Sequence, residues 1–155
     1  SAELHELANG LLYFNGDSRI EVLAADGTPT FSLSKGYGLG PPLVVGDRVH
    51  LGIDKEALSL DLTRCKSVEP VSTADLTAPC VASRIVVAED IYERPVQLGS
   101  AIYFLVGSRI VQVVDGHQTA STIPIRARAA IASSRACSGS SSSTVKCPIL
   151  RPGRA

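Results

Sequence analysis

Few side chains in this sequence could do chemistry, and spacing decides what each could do. Four cysteines, Cys65, Cys80, Cys137 and Cys147, form an even set. Their order suggests two local pairs, Cys65 with Cys80 and Cys137 with Cys147, out of three possible connectivities. Each pair would close a short loop, and closing a loop of about 15 residues contributes roughly 3 kcal/mol when unstrained. Zinc is the competing use. A structural zinc site wants close pairs of the C-x-x-C kind, and none of these cysteines has such a neighbour. The set favours an oxidising compartment, a secreted location included, with free thiols as the alternative.

The histidines, His5, His50 and His117, lie far apart in the chain. A serine nucleophile would need a strained elbow of the G-x-S-x-G kind, and Gly107-Ser108-Arg109 lacks the second glycine. The densest acidic cluster is Glu89-Asp90 with Glu93 close by and Tyr92 between them. In a loop it could hold a cation, meet a basic partner or meet the basic end of this chain. A plain exposed charged loop is the simpler reading. Asp17, Asp54 and Asp115 fall in turns, where aspartate serves backbone hydrogen bonding.

Gly36-Tyr-Gly-Leu-Gly40-Pro-Pro looks like a phosphate loop but lacks the following Lys-Ser/Thr and the helix that would bind an anion. It reads as a mobile connection, with Tyr37 at its tip as a contact residue. No catalytic residue, metal ligand or cofactor site emerges from these patterns.

Charge is unevenly placed. The 15 basic and 15 acidic residues cancel, but no acidic residue follows Asp115. Residues 1–125 carry nine basic groups against fifteen acidic ones, a net charge of −6. Arg126, Arg128, Arg135, Lys146, Arg151 and Arg154 then form a basic end. An acidic body with a basic tail can pair with itself, a neighbouring chain or an anionic partner. The tail lacks the interleaved aromatics that would stack bases, which argues against nucleic acid.

What must position these groups is a set of short β-hairpins. Leu12-Tyr-Phe-Asn-Gly-Asp-Ser-Arg-Ile20 matches Ile102-Tyr-Phe-Leu-Val-Gly-Ser-Arg-Ile110 at an offset of 90 residues. Arg48 to Leu62 repeats the pattern between them: apolar strand, polar turn, alternating strand. A unit of about 45 residues, three times over, follows. Leu58, Leu60 and Leu62 alternate with Ser59 and Asp61, as on a strand with one face buried. Asn15-Gly16, Asp26-Gly27 and Asp115-Gly116 mark tight turns. The third unit is expected to begin with Ser83 to Ala88. Helical signal is confined to one turn at Glu3 to Ala8 and a short alanine-rich stretch, Arg126 to Ser134. The serines from Ser138 to Thr144 are low-complexity. The expected organisation is a β-repeat domain over residues 1–125 and a basic, serine-rich tail over 126–155.

Val45-Gly-Asp47, a strand, a turn and a strand ending in Leu60-Asp-Leu62 together resemble a blade of the PQQ-type β-propeller family. Arg19 to Phe31 resembles the inner turn of such a blade, with Phe31 where the family usually has tryptophan; this chain has no tryptophan. The resemblance spans roughly residues 9–125. It implies an all-β fold of propeller-blade-like hairpins. A ring needs about four to eight blades, so three units would require another chain to close it. A β-sandwich or barrel and a β-trefoil are the alternatives.

No stretch of 18 apolar residues occurs, so no membrane-spanning helix is expected. The chain opens at Ser1 and contains no methionine, which reads as a mature fragment of something longer. The functional expectation is a non-catalytic protein-interaction module, a fragment or subunit of a larger assembly. A secreted trefoil inhibitor or ligand-binding domain, and the non-catalytic portion of a multi-chain enzyme, are the other readings.

Overall fold

The computed structural model describes residues 2–36 and 38–124. Among the described residues, thirteen strands form three separate sheets. The first holds β1 (Ala2–Leu7), β2 (Gly10–Asn15), β3 (Arg19–Ala24) and β4 (Pro29–Ser34) in sequence order. The second holds β5 (Leu43–Val45), β6 (Arg48–Ile53), β7 (Glu56–Asp61) and β9 (Val81–Val86). The third holds β10 (Val96–Leu98), β11 (Ala101–Val106), β12 (Arg109–Val114) and β13 (His117–Pro124). Within each, neighbours pair antiparallel. The remaining strand, β8 (Ser67–Val71), leaves the second unit and pairs parallel with β4 at the edge of the first sheet.

The sheets stack face to face with the second in the middle, because that sheet has two different buried faces. Val49, Leu51, Ile53, Leu58 and Leu60 point toward the first sheet and pack with Leu12, Phe14, Ile20, Val22, Phe31 and Leu33. Ala57 points the other way, with Leu43 and Ile85, against Ile102, Phe104, Val106, Val111 and Val113 of the third sheet. Fully burying one such aliphatic or aromatic side chain is worth about 1.5–3 kcal/mol. The alternation of strand side chains therefore supplies one core per interface.

Each copy of the recurring motif occupies the second and third strands of its sheet. Tyr13-Phe14 lies on β2, and Tyr103-Phe104 on β11. In both, the phenylalanine is buried in a core, while the tyrosine alternates to the opposite face. The all-β class holds, with no closed barrel among the described residues. The barrel and trefoil alternatives, which require one, do not describe these strands, and the stack has three layers where a sandwich has two.

Several sequence expectations are corrected. Glu3 to Ala8 is not a helical turn: residues 2–7 form β1, with Glu3, His5 and Leu7 facing inward and Leu4 and Glu6 outward. Ser83 to Val86 does not begin the third unit but ends the second sheet as part of β9. The third sheet starts instead at the three-residue β10. The glycine-rich connection is pinned on both sides of Tyr37: the Gly40 N–H donates to Gly52 O at 2.8 Å, Leu39 is buried, and Lys35 pairs with Asp54.

The excursion that carries β8 is tied at its base. The sulfurs of Cys65 and Cys80 stand at disulfide-bonding distance, joining its outgoing and returning limbs. Cys65 is fully buried in the first core. Arg84 on β9 holds the returning limb, its guanidinium donating to Glu56 at 2.7 Å and to the Thr73 and Leu76 carbonyls at 3.1 Å. A second arginine links all three units. Arg94, just before β10, donates to Pro42 O at 3.0 Å and pairs with Glu3 on β1. That arginine and His5 hold the Glu3 carboxyl below its ordinary range, the His5 hydrogen bond being the larger influence.

Candidate functional site

Two clefts flank the third sheet. The first is about 450 Å³ and gathers the acidic cluster: Glu89, Asp90 and Glu93 line it with Tyr92, Lys55 and Gly107. The connection between β9 and β10 carries these residues across the β6–β7 turn, held by Val87 N–H to Lys55 O and Ile91 N–H to Asp54 O, both 2.8 Å. Ile91 is its buried anchor, seated so closely on Gly52 that a Cβ there would overlap it. The Glu89 carboxylate likewise occupies the space a Cβ on Gly107 would take. Tyr92 is exposed and donates to Asp90 at 3.1 Å, a hydrogen bond that raises the phenol's pKa. The cluster's side chains thus stand in one cleft with a lysine. Among the described residues no group of three His, Cys, Asp or Glu side chains is placed to hold a metal.

The second cleft, about 440 Å³, lies between the second and third sheets. Its wall on the second sheet is a cross-strand row. His50 faces Ser59 in the register of β6 and β7, and Ser59 faces Ser83 in that of β7 and β9. Arg48 lies two residues from His50 on the same face. The opposite wall carries Gln97, Ser100, Ile102, Val113, Asp115 and Gly116 from the third sheet and its turns.

His50 and Ser59 are both buried, at 8 % and 6 % exposure, and share a hydrogen bond of 2.7 Å between Nδ1 and Oγ. Burial, aided by the positive Arg48, lowers the His50 pKa to about 4, so the imidazole is neutral at pH 7. A serine hydroxyl on a neutral imidazole has the form of a nucleophile and its base. Among the described residues, however, no carboxylate hydrogen-bonds the ring to orient it. The pair reads as a satisfied polar contact in a cleft wall.

A third surface concerns the open end of the stack. Register places Val96, Leu98, Tyr103, Leu105, Ile110 and Val114 together on the outer face of the third sheet, away from the second. Val96 is 60 % exposed and Leu98 70 %. Opposite, on the outer face of the first sheet, Leu4 is 67 % exposed beside Tyr13.

No protein-family model matches the chain, and no curated protein matches it. Of the residues singled out in the sequence, Glu89, Asp90 and Glu93 are brought together, and Cys65 and Cys80 are joined. Tyr37, Arg126, Arg128, Arg135, Cys137 and Cys147 lie outside the described residues. The His50–Ser59–Ser83 row and the apolar outer face were missed. The row's only sequence signal is a set of polar residues on strands otherwise rich in leucine and valine. The face shows as Tyr103, Leu105 and Val114 alternating with the buried Ile102, Phe104 and Val113.

Proposed function

We propose that the chain is a non-catalytic interaction module, and that its three stacked sheets are part of a propeller-like ring which another chain completes. The outer face of the third sheet carries this reading. A sheet face where Val96 and Leu98 are exposed and Tyr103, Leu105, Ile110 and Val114 only half-buried is costly, because each apolar side chain forfeits part of the burial its inner-face counterpart enjoys. The two internal interfaces show what such a face packs against: another β-sheet.

Serial sheets, each containing four antiparallel strands and packed on the next, support the resemblance to propeller blades. The partner is then a chain that adds sheets, and a second copy is the simplest one. Its first-sheet outer face, with Leu4 and Tyr13, would meet the third-sheet outer face in a head-to-tail contact, and two such contacts close a ring. The Cys65–Cys80 pair supports an oxidising compartment for this assembly. The acidic cleft lies beside the same end of the stack and offers a complementary surface to a basic segment.

Sedimentation equilibrium of the 155-residue chain tests this. Self-association at roughly 100 μM is expected, and Leu98→Asp should abolish it while leaving the thermal transition in place, since Leu98 touches no core. A chain that stays monomeric, with Leu98→Asp indistinguishable from it, would refute completion by a second copy. Catalytic turnover abolished by Ser59→Ala would refute the non-catalytic reading.

A further inference from the structure

We infer that the cleft between the second and third sheets is a binding site for a small zwitterion, of the size of an amino acid or dipeptide. This goes beyond the assembly role, which concerns the outer faces of the stack. The cleft's lining holds one cationic side chain, Arg48, and one carboxylate, Asp115. They stand on opposite sheets, Arg48 at the start of β6 and Asp115 in the turn between β12 and β13. Neither is spent on the other: among the described residues no ion pair takes Arg48 or Asp115. Asp61, across the strand from Arg48, is hydrogen-bonded by Thr63 at 2.6 Å and paired with Arg64 at 3.6 Å; Arg48 helps to lower its carboxyl's pKa through its charge but forms no ion pair with it. A guanidinium in a cleft with no ion pair of its own is suited to a carboxylate, which it holds through a fixed fork of donors. A free carboxylate is suited to an ammonium group.

The space between the two charges is lined to match. Ser59, Ser83, Ser100 and Gln97 supply short hydrogen-bonding groups, while Ala82, Ile102 and Val113 supply apolar wall. Ligand sites are commonly clefts of roughly 300–1,000 Å³, mostly apolar with a few convergent polar groups. The buried polar groups in the wall are Ser59 and His50, an imidazole. The Nδ1 of His50 is committed to Ser59, which leaves Nε2 as the ring's remaining hydrogen-bonding atom. Being neutral at pH 7, the ring adds no charge, so the site's balance of one cation and one anion is preserved. That balance selects against simple anions, which Asp115 repels, and simple cations, which Arg48 repels.

The experiment is a two-dimensional NMR titration of the folded chain with glycine, β-alanine and glycylglycine, with acetate and methylammonium as singly charged controls. Saturable shifts at Ser83, Gln97, Ser100 and the His50 ring are expected with at least one zwitterion. Both controls should bind at least tenfold more weakly, a difference of about 1.4 kcal/mol. Arg48→Gln and Asp115→Asn should each weaken binding at least tenfold. Asp115 sits at φ +50°, a conformation asparagine tolerates, so that variant keeps its turn. The site's existence is overturned if no zwitterion shifts these resonances at about 10 mM, weaker than any specific site would be. Its zwitterion selectivity is overturned if acetate binds as well as glycine, or if Asp115→Asn leaves glycine binding unchanged.

Discussion

Acidification should weaken this fold through His50 before it reaches the carboxylates. The unfolded imidazole titrates near pH 6.5 and the folded one at about 4, because burial between two sheets, with Arg48 close by, disfavours the imidazolium. A histidine whose folded pKa is depressed contributes stability that is intact above the unfolded value and is lost as pH falls. Below 6.5 the unfolded chain takes up a proton the folded chain refuses, and the loss levels off near pH 4. Between pH 7.5 and 5.0 this amounts to about 2 kcal/mol, approaching roughly 3 kcal/mol at the lower limit. Glu3 and Asp61, whose carboxyls are held low by His5 and Thr63 hydrogen bonds respectively, contribute stability above the ordinary carboxylate range. Theirs is lost below about pH 4.5, outside this window. Urea unfolding at the two pH values should show the drop. His50→Asn should be less stable at pH 7.5 yet lose most of the pH dependence. An NMR midpoint for the His50 ring above pH 6, or an equal drop in His50→Asn, would show that the buried imidazole is not the group responsible.

Two further outcomes follow from close packing and chain closure. Gly52→Ala should destabilise by about 1–3 kcal/mol, as overpacking does, because the new methyl meets Ile91; adding Ile91→Ala should recover part of the loss in the double variant, where additive effects would refute the contact. Replacing Cys65 and Cys80 together by serine should cost roughly 3 kcal/mol of urea stability, and a loss below about 1 kcal/mol would show that Arg84 already restrains the excursion by itself.

Much of the architecture is legible in the residues, for physical reasons that also explain the gaps. Tyr13-Phe14 and Tyr103-Phe104 announce their strands because alternation puts one ring in a core and the other outside. Leu58 and Leu60 do the same for β7. Strand β8 is hidden because Ser67-Val-Glu-Pro-Val carries a proline and three exposed residues, and its partner β4 is remote in sequence. Strand β10 is hidden because three exposed residues make no period. Strand β1 reads as helix because Glu3 and His5 sit on its inward face, where their pairing with each other, and that of Glu3 with Arg94, replaces apolar packing. The candidate sites fare differently. The acidic cleft is contiguous in sequence and so visible. The His50 row exists only across strands, and its register is set by hairpin turns at Asp54 and beyond, so no linear pattern could assemble it.

The strand that β8 lends to the first sheet means that the repeat in the sequence is not the unit that folds. The chain returns from the first sheet's edge to finish the second, with Cys65 and Cys80 closing the detour, so neither of those sheets is complete without the other. A cut after Ser34 would strip β4 of its outer neighbour β8 and leave the second half with an orphaned strand. The workable seam lies later, between Val86 and Val96, where, among the described residues, no strand is lent from one sheet to the other. Amide exchange should divide the molecule there, into one large cooperative block and a smaller one that opens first.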